Sequence, residues 1–228
     1  MYFLPPNTKV IENLIENYES GRITLYYGNS SSGKTTCCFL ASLCAKDHKV
    51  VYVDTEKGFS SERIKQLYDG DINKLLENIF LIQPKSFKEQ HETILKLKKL
   101  CENDKIKLII VDTIGNHYRT FKKNNLKEAN SMLVEQMATL VRIARDLDKI
   151  VIVSNQVVAN LENKNSFTTV GGKPVYNLCK DIIKLKRSDD DIRTAKLMKK
   201  KLESKNTSYY KLNKEIRFEI KEKGLFRI

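Results

Sequence analysis

Between Gly28 and Thr35 the chain reads Gly-Asn-Ser-Ser-Ser-Gly-Lys-Thr, a full match to the pattern Gly, any four residues, Gly-Lys-Ser/Thr. Each residue type in that spacing has a chemical use. Gly28 and Gly33 let the backbone curl, so that the N–H groups of Asn29, Ser30, Ser31 and Ser32 converge on an anion. A helix opening at Lys34, Thr35 and Thr36 adds the partial positive charge of its N-terminus. The Lys34 ammonium can reach the outer phosphates of a nucleotide, and the Thr35 hydroxyl can bind Mg²⁺. The serines leave the contacts intact, because the backbone makes them. The implied cofactors are ATP and Mg²⁺.

Such a loop needs partners at the ends of neighbouring strands. Asp112 closes the apolar run Leu-Ile-Ile-Val-Asp-Thr, where a carboxylate holds Mg²⁺ through water while the loop hydroxyl binds it directly. Glu56 closes Val-Asp-Thr-Glu and could activate a water as general base. A helix-capping carboxylate is the plainer alternative. Asn155 and Gln156 close Ile-Val-Ile-Val-Ser-Asn-Gln, placing two amides that do not titrate where the γ-phosphate would lie.

These residues need a scaffold, and the spacing of apolar runs supplies one. Strands are predicted over 23–28, 49–56, 78–84, 106–113 and 149–156, with helices between them. A helical stripe at 10, 11, 14 and 15 precedes the first strand, and a long helix spans about Leu126 to Leu147. Strands alternating with helices predict an α/β fold, with a mostly parallel central sheet flanked by helices. From Asp181 the rhythm changes. Asp-Ile-Ile-Lys-Leu-Lys-Arg, Arg-Thr-Ala-Lys-Leu-Met-Lys-Lys-Lys and Lys-Glu-Ile-Arg-Phe-Glu-Ile read as antiparallel strands extending one sheet edge. The whole of 1–228 is expected to form one domain, with a short helical segment over 1–20 and a basic β-rich extension over 181–228.

Composition narrows the partners. Lys and Arg total 41 against 28 Asp and Glu, a formal charge of +13. Residues 180–228 hold 16 basic and 8 acidic side chains, so +8 of the excess sits there. A polyanion such as DNA or RNA fits that excess, as does a lysine-rich solvated surface. Five cysteines without a Cys-x-x-Cys pair suit a reduced, cytosolic protein. No apolar run nears the roughly 20 residues needed to span a bilayer, and Met-Tyr-Phe-Leu-Pro-Pro lacks the features of a secretion signal.

Several stretches together resemble the RecA-type recombinases, in their archaeal and eukaryotic branch. Val-Tyr-Val-Asp-Thr-Glu-Lys-Gly-Phe-Ser-Ser-Glu-Arg-Ile resembles that branch's Asp-Thr-Glu segment. The run Leu-Ile-Ile-Val-Asp-Thr-Ile-Gly-Asn-His-Tyr-Arg resembles its Walker B strand leading into a Tyr-Arg pair. Asn-Gln-Val-Val-Ala and Thr-Val-Gly-Gly-Lys follow in the family's order, so the match runs from about Gly21 to Lys196. The resemblance implies a RecA-like P-loop ATPase core, with Glu56 as catalytic glutamate acting beside Lys34 and Gln156. It sets Arg63 against the adenine face and has Gln156 couple the γ-phosphate to DNA. Two DNA-binding loops are implied, over Tyr118 to Leu126 and Val157 to Val170. Arg119, Lys122 and Lys123 would meet phosphates from the first, and Lys164 and Lys173 from the second and its close.

The departures matter as much. The family's full recombinases carry an N-terminal DNA-binding domain and a polymerisation motif, and only about 20 residues precede the first core strand here. The C-terminal segment lacks the Asp-Ser-Pro signature with which a filament neighbour caps ATP. A core with these losses resembles the family's archaeal RadB paralogues. That implies a mediator or regulator with weak ATP hydrolysis, located in the cytosol and nucleoid. Its partners would be single-stranded or branched DNA and the main recombinase or a Holliday-junction nuclease. A DNA-dependent recombinase that forms filaments, and a KaiC-like signalling ATPase without DNA binding, are the alternatives.

Overall fold

The computed structural model of the protein describes residues 1–159, 167–204, 207–210 and 214–228. A small hairpin of β1 (Phe3–Leu4) and β2 (Tyr18–Glu19) brackets helix α1 (Lys9–Ile15). Thr8 caps α1, its side chain accepting from the Val10 N–H. The helix ends with its apolar stripe at Ile15, where Glu16 at φ 69° turns the chain into β2.

The core then alternates as expected: β3 (Arg22–Gly28), α2 (Lys34–Ser42), β4 (Lys49–Asp54), α3 (Ser61–Leu67), α4 (Ile72–Leu76) and β5 (Ile79–Ile82). It continues through α5 (Phe87–Leu100), β6 (Ile106–Asp112), α6 (Asn116–Phe121), α7 (Leu126–Asp146) and β7 (Ile150–Ala159). Beyond these come β8 (Phe167–Thr169), α8 (Lys173–Leu178), β9 (Asp181–Arg187) and β10 (Arg193–Ser204). Last are β11 (Thr207–Tyr210), β12 (Glu215–Lys221) and β13 (Gly224–Arg227).

One continuous sheet runs in the order β13-β12-β10-β9-β3-β7-β6-β4-β5. From β9 to β5 every neighbouring pair is parallel. The strand expected to begin the antiparallel extension, β9, is instead parallel to β3, with Thr24 opposite Asp181. The reason is the connection: α8 carries the chain over a sheet face, and such a crossover delivers a parallel strand. The antiparallel part begins one strand later, at the tight turn into β10.

β3 lies inside the sheet, and all seven of its residues are buried. Its side chains alternate between two cores. Tyr26 joins Val10, Leu14, Leu40 and Phe218 on the α1/α2 face, while Leu25 and Tyr27 join Phe87, Ile94, Leu133 and Met137 on the α5/α7 face. Burial on both faces anchors the strand that carries the Gly28–Thr35 loop. Among the described residues, no helix is long and apolar enough to cross a membrane.

Candidate nucleotide site

β3 delivers the chain to Gly28, where a Cβ would stand 1.9 Å from the Leu185 carbonyl oxygen of β9, so no side chain fits. Ser31 at φ 57° and Gly33 at φ 101° then bend the loop into α2. Lys34 opens that helix and folds back, its Nζ donating to the carbonyls of Gly28 (3.2 Å) and Asn29 (2.7 Å). Burial lowers the Lys34 pKa, opposed by the carboxylates of Asp112 and Glu56.

Asp112 ends β6 and is 4% exposed. It accepts hydrogen bonds from Ser154 Oγ and from the Tyr52 hydroxyl at 3.0 Å, and the Thr35 side chain beside it also favours the carboxylate. Burial raises its pKa while those donors favour the carboxylate. Thr35 and Asp112, read from sequence as the metal-binding pair, are therefore neighbours.

Glu56 stands across the cavity. Its Oε1 accepts from Thr113 Oγ1 at 3.0 Å and from Gln156 Nε2 at 2.7 Å. Asp54 shapes the turn that carries it, accepting from the backbone N–H groups of Glu56 (3.1 Å), Gly58 (3.2 Å) and Phe59 (3.0 Å) and from Gln83 Nε2 (2.9 Å). Sequence reasoning passed over Asp54. Its signal was an Asp four residues before Gly58, at a place where Asp side chains bond their own following backbone.

Ser30, Ser31, Ser32, Gly33, Lys34, Thr35, Thr36, Glu56, Thr113, Gln156 and Ile220 line a single cavity of about 270 Å³. Ser32 is fully buried and its Oγ has no hydrogen-bond partner. A phosphate oxygen or a metal-bound water in the cavity would supply one. The orphaned hydroxyl, the inward ammonium and the neighbouring Thr35 and Asp112 fit ATP with Mg²⁺. Ile220, on β12, comes from the far end of the chain, and nothing local in the sequence marks it.

Three of the named residues make hydrogen bonds outside the cavity. The Asn29 side chain is not in the cavity; it exchanges hydrogen bonds with the Arg187 backbone, donating to its carbonyl (3.5 Å) and accepting from its N–H (3.3 Å). Arg63 is tied to the β12–β13 turn, donating to the carbonyls of Lys221 (2.8 Å) and Glu222 (2.9 Å). Asn155 is fully buried. Its Nδ2 donates to the Val170 carbonyl at 2.8 Å, and its Oδ1 accepts from the Gln156 N–H at 2.9 Å. It props the strand end rather than facing the γ-phosphate position.

The expected first DNA loop opens within α6 and closes at the start of α7. Arg119 is half-buried on that helix, and Lys122 at its end sets its ammonium 5.4 Å over the Tyr118 ring. Lys123 is exposed. The second loop begins and ends as an antiparallel ribbon, with Val157 opposite Thr169 and Ala159 opposite Phe167. Gly171 and Gly172, at φ 79° and 65°, close it before the exposed Lys173. Lys164 lies outside the described residues.

Comparison with known proteins gives one answer. Residues 7–225 match the family model described as Rad51. The chain is 35% identical over 200 residues to the DNA repair and recombination protein RadB of Archaeoglobus fulgidus, spanning 86% of this chain and 88% of that protein. It is 35% identical over 222 residues to the same-named protein of Methanococcus maripaludis, spanning 95% and 96%. Among solved structures, the crystal structure of the RadB recombinase superposes with a TM-score of 0.81 at 31% identity, covering 97% of this chain and 98% of that one.

Proposed function

Because the chain belongs to the Rad51 family, with RadB proteins as relatives across most of its length, we propose that it is an ATP-controlled, DNA-binding protein of recombination and repair. In this reading it assists a main recombinase or a Holliday-junction nuclease in the cytosol and nucleoid, and nucleotide binding matters more than turnover. The observation that carries the reading is Gln156. Its side chain donates to Glu56 in the cavity, while its backbone carbonyl accepts from the Val170 N–H at the far end of the second loop. One residue therefore joins the nucleotide cavity to the ribbon that would meet DNA.

The geometry supports the following roles in this reading. The loop N–H groups and Lys34 hold the polyphosphate, and Thr35 with Asp112 holds Mg²⁺. The ion supplies charge neutralisation at the outer phosphates. Glu56 is the carboxylate available to take a proton from water, and Thr113 and Gln156 fix its orientation. Turnover is slow in this reading because the C-terminal segment lacks the Asp-Ser-Pro cap that the family's filaments place on ATP. Lys122, Lys123 and Lys173 would meet DNA phosphates, with Arg119 behind them.

Electrophoretic binding to single-stranded DNA with ATP, at 50 and 200 mM salt, tests this. Contact with about four phosphates predicts a loss of affinity of roughly 50-fold. Affinity indifferent to salt, or none at all, would sink the proposal.

A further inference from the structure

The loop's outer side leans on the C-terminal strands. Arg193 opens β10 and is 8% exposed, and it is not among the cavity-lining residues. Its Nε donates to the Ser31 carbonyl at 3.2 Å. Its remaining nitrogens are spent on Asp191: NH1 donates to the Asp191 carbonyl at 2.8 Å and NH2 to Asp191 Oδ1 at 3.2 Å. Arg187 Nε reaches the same Oδ1 at 2.6 Å. A guanidinium is thus braced by a carboxylate and aimed at one loop carbonyl.

The carbonyl and N–H of a trans peptide point in opposite directions. Pinning the Ser31 carbonyl towards Arg193, away from the cavity, therefore aims the Ser32 N–H into it. Ser31 sits at φ 57°, a region that a residue other than glycine occupies at some cost. Without the pin, rotation of the Ser31–Ser32 peptide through ψ of Ser31 and φ of Ser32 would turn the N–H away. We propose that Arg193, held by Asp191, is a positioning residue for nucleotide polyphosphate, fixing the Ser31–Ser32 peptide so that its N–H addresses a phosphate oxygen. This rests on the nucleotide reading above and adds a determinant outside the loop motif.

The test is equilibrium binding of a fluorescent ATP analogue with Mg²⁺ to the full chain, alongside thermal melts. Arg193→Gln loses a charge-assisted hydrogen bond and should weaken binding about tenfold. Arg193→Lys should recover part of it, since an ammonium can reach the carbonyl but not brace on Asp191 as well. Asp191→Asn separates position from charge. Removing a negative charge near phosphates would tighten binding by Coulomb attraction alone, whereas loosening Arg193 should weaken it about threefold. Unchanged binding in Arg193→Gln, or tighter binding in Asp191→Asn, overturns the proposal. If Arg193→Gln does not fold, Asp191→Asn decides alone, because that side chain is 63% exposed. Lys34→Ala is the control. Wild-type protein that binds no analogue, or Lys34→Ala that binds it fully, overturns the nucleotide reading itself.

Discussion

Glu56 sits between two donors, Thr113 and Gln156, that reach it from different strand ends. Replacing its carboxylate with an amide removes the basic oxygen and leaves size and position nearly unchanged. Glu56→Gln should keep ATP affinity within about threefold while slowing hydrolysis 10²-fold or more, the usual reach of a general base. Phosphate-release assays beside a binding titration check it, and unchanged turnover would remove Glu56 from that role. Residues on this scale were legible wherever their signal is local. Lys34, Thr35, Asp112 and Glu56 all stand in the cavity or beside it, because a strand end or a loop motif fixes them. Asn155 was placed at the γ-phosphate by its strand end, though its amide bonds the Val170 carbonyl; Arg63 was placed by analogy with the family's nucleotide contacts. Arg63 bonds a turn some 160 residues away, a contact set by tertiary packing.

At the level of elements, the five core strands were readable from their apolar runs, and α7 from its long amphipathic stripe. The direction of β9 was not, since its residue pattern is the same in either orientation and only the α8 crossover decides it. That direction has an energetic consequence at Gly28. A methyl group there would overlap the Leu185 carbonyl, whose strand runs parallel to β3 in register. Gly28→Ala should therefore destabilise the fold by about 2 kcal/mol or more, a fall in melting temperature of about 4–8 °C for a domain of this size. A melt unchanged within a degree would mean that β3 and β9 can part at no cost. The helix α6 was missed because Asn116 to Phe121 is short and polar at its start, and its apolar residues Tyr118 and Phe121 pack on Phe87 only once the chain has folded.

At the scale of the whole molecule, the cost of burying charge away from the cavity shows at the sheet's Asp181. Asp181 begins β9 with 1% exposure, and burial pushes its carboxyl up to about 6 despite Arg22 and Lys200 nearby; Glu19 adds to the rise. The sign follows from linkage. The folded state binds this proton more tightly than the unfolded chain, so the stability it lends is full below about pH 4 and is lost as pH rises through 6. Asp181→Asn keeps the neutral form at every pH. It should melt higher than wild type at pH 7.5, by an amount equivalent to at most about 3 kcal/mol, and the gap should narrow at pH 5. A lower melting temperature at pH 7.5 would show that Arg22 needs the carboxylate more than burial opposes it.

The two cores lie on opposite faces of one sheet, with α2 on the first and α6, α7 and α8 on the second. The Glu56 carboxylate, with Gln156 and Thr113 on it, bridges strand ends between the cavity and those elements. A genetic consequence follows. Truncations such as Glu56→Ala or Gln156→Ala should not separate nucleotide turnover from DNA response, because each severs the same hydrogen bond. Separation-of-function alleles should come instead from the margins, at Thr113 on one side and at the paired strands β7 and β8 on the other.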